Sequence, residues 1–134
     1  LHCDFIFTTH DTKFGDTHAK FGLRPTWGMS QTLSQAVGIR LAKEMSYSAR
    51  TILGDEAVRV GLANRAEKNK EDLDSLVNKI SSQISSNSKE AVTAFKDLYN
   101  LAQSGLGLDE ALKAELDREY PEIKDTNERL SEFK

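Results

Sequence analysis

One cysteine, two prolines and one tryptophan are all that this chain of 134 residues holds of those types. A lone thiol, Cys3, excludes an internal disulfide, which fits a reducing compartment. No apolar run approaches the ~18 residues of a membrane span, so no membrane partner is expected. A block of lysine and arginine able to track a phosphate backbone is also missing. With a net charge of −3, nucleic acid is not an expected partner. The first residues carry neither a basic stretch nor a cleavage site and make a poor signal peptide. An intracellular setting, cytoplasm or organellar matrix, is the expectation. Histidines at 2, 10 and 18 do not match zinc spacing on a helix or hairpin, and Cys3 adds no fourth ligand; no metal is expected.

What is present is ordinary for a globular protein, with 29% charged and 38% apolar residues. The length is one domain's worth and would bury about two-thirds of the unfolded surface. Phe5-Ile6-Phe7 is a dense apolar run with no turn ahead of it, so residues 3–9 read as a strand covered on both faces and entered midway. Residues of the same fold are expected upstream of Leu1. Cys3 reads as a small buried hydrophobe at the strand's start, and His2 and His10 as surface or strand-end residues. Lys13-Phe14 is a second short strand.

Pro25 suits a turn or a first helical position; a short helix over 30–37 closes at Gly38, and a second follows from Ile39. Asp55 is a natural N-cap for a helix that Gly61 stops. From Glu67 the composition turns to Lys, Glu, Asp and Ser, which places a boundary between residues 1–66 and 67–134. The second part is helical. Leu73, Leu76, Val77, Ile80 and Ile84 share one stripe, and Ser88 caps a helix whose apolar face is Val92, Phe95, Leu98, Tyr99 and Ala102. Asp109 opens a third helix, and Leu130 with Phe133 forms a last amphipathic turn. So few strands cannot cover such wide stripes, which points to an upstream segment or another subunit as the cover.

The densest set of unusual residues is "KFGDTHAKFGLRPTWGMS", residues 13–30. Taken alone, a histidine in such a turn is more often structural than reactive, and Asp16 more often a turn former or cap. Trp27 is as readily plain packing as the wall of a pocket. "FGLRPTWG" is no phosphate loop, since it lacks both the repeated glycines and the lysine.

Together, "CD" before an apolar strand, a Phe-Gly turn, "GLRPTWG" at a helix entry, "VGIRLAKEM" and "DEAVRVGLANRAE" resemble the C-terminal half of the crotonase family, the enoyl-CoA hydratases and isomerases. The resemblance is close over residues 3–66 and continues as a weaker helical pattern. It implies an α/β, ClpP/crotonase-like fold, here an α-rich C-terminal fragment. Residues 1–66 would end the spiral core with two or three short strands, and 67–134 would form a helical oligomerisation region. The implied partners are an acyl-CoA thioester and copies of the chain, as a homotrimer or dimer of trimers. No cofactor is implied beyond coenzyme A as part of the substrate.

In that family two backbone N–H groups polarise the thioester carbonyl, and two glutamates serve hydration. By the resemblance, both N–H donors and the first glutamate fall upstream of Cys3-Asp4, so the chain alone is expected to be inactive. The second glutamate's position is held by His18. This makes His18 the candidate base, with Asp16 able to supply a carboxylate beside it. Pro25, Thr26, Trp27 and Gly28, whose stretch opens a helix, are candidates to line the substrate site. Lys20, Arg24, Lys124, Arg129 and Lys134 are cations that the phosphates of coenzyme A would need, each more simply a solvated charge. Two other readings stay open: a non-catalytic crotonase-like module for assembly or partner binding, and an unrelated helical protein.

Overall fold

The computed structural model describes residues 1–132, so the expected contribution of Phe133 to a terminal amphipathic turn, and Lys134, lie outside the described residues. The apolar opening run condenses into a strand shorter than its composition predicts. β1 is only Phe7–Thr9, and its register places Phe7 opposite Arg65, Thr8 opposite Ala66 and Thr9 opposite Glu67 on the parallel β4, Arg65–Glu67. Ahead of β1 a side chain takes over from the ladder. The Ile6 N–H donates to Asn64 Oδ1 at 2.8 Å, and the Asn64 N–H donates back to the Ile6 carbonyl at 2.8 Å. Phe5 is therefore not in a buried strand; it is 51% exposed, and Cys3 is exposed as well.

β2, Lys13–Gly15, pairs antiparallel with β3, Thr51–Leu53. There are thus four short strands among the described residues, in two separate pairs, rather than two or three. Between β2 and β3 lie α1, Met29–Val37, and α2, Ile39–Ser48, packed on each other across Gly38. α3, Gly54–Arg59, follows β3 directly. A Cβ on Gly54 would lie 2.0 Å from the Thr9 carbonyl oxygen, so only glycine lets the start of α3 press against the end of β1. Asp55 is not the N-cap of α3. Leu53 holds that place, and Asp55 lies in the first turn, where it pairs with His10 Nδ1.

These elements close around Leu33, Ala42, Met45, Ile52, Ala57, Leu62 and Ala63. Ala42 and Met45 share the inward side of α2, and Met45 and Ile52 are the largest fully buried side chains. Each contributes about 1.5–3 kcal/mol by leaving water. Arg50, just before β3, donates through Nε to Glu44 on α2 (2.6 Å) and through Nη1 to Glu56 on α3 (3.1 Å), tying the two helices at the surface.

The chain divides into two compact units, Leu1–Asn78 and Lys79 onward, whereas the composition changes at Glu67. The division falls within α4, Lys70–Ser85, whose N-terminus is capped by Asn69: the Asp72 N–H donates to Asn69 Oδ1 at 2.8 Å. The second unit holds α5, Lys89–Ala102, α6, Leu108–Asp117, and α7, Thr126–Glu132. Polar ties join them. The Tyr120 hydroxyl donates to Asp97 at 2.7 Å, Arg118 pairs with the same carboxylate at 2.8 Å, and Arg129 donates to the Ser86 carbonyl at 2.8 Å. Ser88 precedes α5 but makes no capping bond; its hydroxyl donates instead to Asp125 at 2.8 Å. Among the described residues of this unit, Ser88 alone is buried. No helix among the described residues is long and apolar enough to cross a membrane.

Candidate active site

Asp16 follows β2 and enters the first unit's interior, where it is 3% exposed. A buried carboxylate needs its lone pairs filled, and three donors do so. Oδ1 accepts the His18 backbone N–H at 3.1 Å and faces His18 Nδ1 at 2.6 Å; Oδ2 accepts the Ser46 hydroxyl at 2.6 Å. Burial pushes the Asp16 carboxyl up, but the hydrogen bonds from Ser46 and His18 together outweigh it and hold it below the ordinary value of 3.8. Asp16 is thus an anion near neutrality and can only accept. In a neutral His18 the ring proton must then sit on Nδ1, which leaves Nε2 bare as a proton acceptor.

The backbone holds His18 as well. It leads into a short 3-10 turn, Ala19–Phe21, and its carbonyl accepts from the N–H groups of Phe21 (3.1 Å) and Leu23 (2.9 Å). The ring meets Trp27 edge-on, with centroids 5.5 Å apart and planes at 69°. Trp27 is itself 74% exposed, and its carbonyl accepts from His2 Nε2 at 3.3 Å.

Asp16 and His18 line two adjoining depressions. One, of about 280 Å³, is walled by Leu23, Pro25, Leu33, Ala42, Ser46 and Tyr47; the other, of about 340 Å³, by Leu1, His2, Trp27, Met29 and Thr32. The proposed pair is therefore brought together, with Pro25 on one side and Trp27 on the other. Thr26 is exposed and lines neither depression. The stretch 25–28 leads into α1, which begins at Met29, one residue ahead of the expected start. Gly28 is its N-cap, in the left-handed region at φ 77°, and its carbonyl accepts from the N–H groups of Gln31 and Thr32.

Ser46 was not among the residues the sequence singled out. A signal exists: it lies one turn after the buried Ala42 and next to Met45, so a hydroxyl stands on an inward position of an amphipathic helix. Of the five cations named for the nucleotide, Arg129 is engaged by Asp125 and the Ser86 carbonyl. No group of three or more His, Cys, Asp or Glu side chains able to hold a metal ion gathers among the described residues.

The model of the family described as enoyl-CoA hydratase/isomerase matches residues 1–133. The chain is 34% identical over 122 residues to a probable peroxisomal enoyl-CoA hydratase of Arabidopsis thaliana, covering 90% of this chain and 44% of that protein. It is 35% identical over 115 residues to a crotonyl-CoA hydratase of Syntrophomonas wolfei, covering 86% of this chain and 44% of that one. Among solved structures, an enoyl-CoA hydratase from Mycobacterium smegmatis superposes with a TM-score of 0.72 at 34% identity, over 84% of this chain and 52% of that chain. The chain thus spans 44% of each of these two relatives. A family match over nearly every residue, with relatives above 30% identity on the same fold, makes this chain a member of the enoyl-CoA hydratase/isomerase family.

Proposed function

We propose that the whole protein acts on an acyl-CoA thioester through an enolate-like intermediate, by hydration or double-bond migration, with His18 as the group that moves the proton. The observation that carries this is the buried Asp16 on His18 Nδ1, which leaves Nε2 free to accept in a residue that lines both depressions. In hydration, Nε2 takes a proton from water as the water oxygen bonds to C3, charge builds on the thioester oxygen, and the imidazolium returns the proton to C2. One water is added and the base is regenerated. In isomerisation the same nitrogen takes a proton from one carbon and returns it to another. Asp16 supports both by facing the imidazolium with a fixed negative charge. Pro25 and Trp27, one in each depression, would border the acyl group.

The N–H donors that polarise the carbonyl belong, by the resemblance, upstream of Cys3, so these 134 residues alone should not turn over. No cofactor enters beyond the coenzyme A of the substrate, and cytoplasm or an organellar matrix is the proposed setting. The apolar residues that α5, α6 and α7 leave exposed support assembly as a homotrimer or dimer of trimers. The reaction is tested by loss of enoyl absorbance with crotonyl-CoA, using the whole protein with His18, His18→Ala and His18→Glu. Loss of about 10²–10⁴ in rate for His18→Ala is expected.

A second reading is favoured by the histidine itself, which cannot hold a water by the two-oxygen geometry of a glutamate. On this reading the domain is kept for assembly or partner binding. An inert wild type that assembles, and gains nothing from His18→Glu, would put that reading first.

A further inference from the structure

Several helical serines in this chain satisfy themselves locally. Ser48 donates to the Glu44 carbonyl at 2.6 Å, Ser75 to the Glu71 carbonyl at 2.9 Å, and Ser34 to the Gln31 carbonyl at 2.9 Å. Such back-bonding is the default for a hydroxyl inside a helix. Ser46 departs from it. It sits on α2 between Met45 and Tyr47, yet its hydroxyl crosses to the loop after β2 and donates to Asp16 Oδ2 at 2.6 Å.

We propose that Ser46 is a positioning residue which, through Asp16, fixes the orientation and tautomer of the His18 imidazole. The assignment of a chemical task to that imidazole rests on the function proposed above; the positioning itself does not. The argument is one of degrees of freedom. A carboxylate bonded at one oxygen alone can turn about its last torsion, which is broad for a terminal sp³–sp² bond. Asp16 is held at both oxygens, by α2 on one side and by His18 on the other, so its plane is set. Its side chain is only 4% exposed, so bulk water does not freely replace a missing donor. The bond is also charge-assisted, which makes it short and strong for a hydroxyl.

Without the Ser46 hydroxyl, Oδ2 is a buried acceptor with no donor. The carboxylate then gains by turning toward solvent, and the contact of Oδ1 with Nδ1 loosens. Once that contact loosens, the Nε2–H form of the ring becomes competitive, and a ring in that form cannot accept a proton at Nε2. Ser88 offers a contrast. It too donates to a carboxylate, Asp125, but that carboxylate also bonds Arg129, and no histidine depends on it.

The test reads the tautomer directly, without turnover. Long-range proton–nitrogen spectra of the uniformly ¹⁵N-labelled 134-residue chain, recorded at a pH where the spectra themselves show a neutral ring, report which ring nitrogen of His18 carries the proton. Wild type should show one form, protonated at Nδ1. Ser46→Ala should raise the Nε2–H form about tenfold, in keeping with the loss of a hydrogen bond to a charged group. Ser46→Thr and Ser46→Val form an isosteric pair that separates the hydroxyl from the space it fills. Threonine should retain the wild-type form and valine should behave as alanine, even if alanine fails to fold.

An unchanged tautomer in both the alanine and valine variants would overturn the proposal, as would equal shifts in threonine and valine. In the whole protein, Ser46→Val should lower kcat about tenfold with KM little changed. A tautomer that responds as stated in a protein that turns nothing over would leave the positioning in place and remove the catalytic reading of His18.

Discussion

Leu33, Met45, Ile52 and Ala57 in the first unit are at most 3% exposed, whereas Phe95, Tyr99, Leu112 and Leu116 in the second range from 50% to 85%. Similar amphipathic patterning has therefore had two outcomes within one chain. In the first unit, strands and helices far apart in sequence bring their apolar sides onto one another, and a polar network can be held rigidly at the edge of that core. In the second, polar contacts such as Tyr120–Asp97 and Ser88–Asp125 join the helices while much of the apolar surface faces outward. An amphipathic stripe signals that a face seeks cover; it does not say whose surface provides it.

The sharpest way to break this contrast is to attack the first unit where it is closest packed. Gly54→Ala places a Cβ against the Thr9 backbone and should cost about 3 kcal/mol, and Met45→Ala should cost a similar ~3 kcal/mol through the cavity it leaves. Urea unfolding read by the first unit's only tryptophan, Trp27, measures both. If either variant unfolds at the wild-type midpoint, the first unit does not own its core.

Acid provides a second test of the same unit. The Asp16 carboxyl lies below its unfolded value, so its contribution is full above that value and is lost as pH falls through the folded one. Asp16→Asn should accordingly cost about 1–3 kcal/mol near neutrality, and the gap should narrow steadily below pH 3.8. A gap that stays constant from neutrality to pH 2 would mean that Asp16 is not held as an anion.

The smallest expected effect lies in the second unit. Leu116→Ala should shift the unfolding free energy of the dilute chain by no more than ~0.5 kcal/mol, because the residue is already in water. Its consequence should appear in the mass of the assembled protein, read by light scattering across concentration. A large loss of stability in the dilute monomer would erase the distinction between the two units.

How much of this was legible in the sequence follows from how local each signal is. α2, α3 with its stop at Gly61, the pairing-competent Lys13-Phe14 and the helical second part all follow from short-range periodicity and turn chemistry. The misreadings share one cause, a side chain taken by a distant partner. Asp55 looks like a cap and serves His10; Ser88 looks like a cap and serves Asp125. Phe5 reads as buried strand, but Asn64 ends the pairing at Ile6. For the site, His18 and Asp16 were visible as a pair only through the resemblance. Ser46 was not, because nothing in residues 39–48 says which loop that helix will face.

The proposed role of His18, moving a proton at the carbon next to the thioester, can be tested without choosing between hydration and isomerisation. Butyryl-CoA incubated with the whole protein in deuterium oxide should exchange its C2 hydrogens, followed by proton NMR. The wild-type protein should exchange them, and His18→Ala should do so about 10²–10⁴ times more slowly. Exchange by His18→Ala at the wild-type rate would contradict the claim.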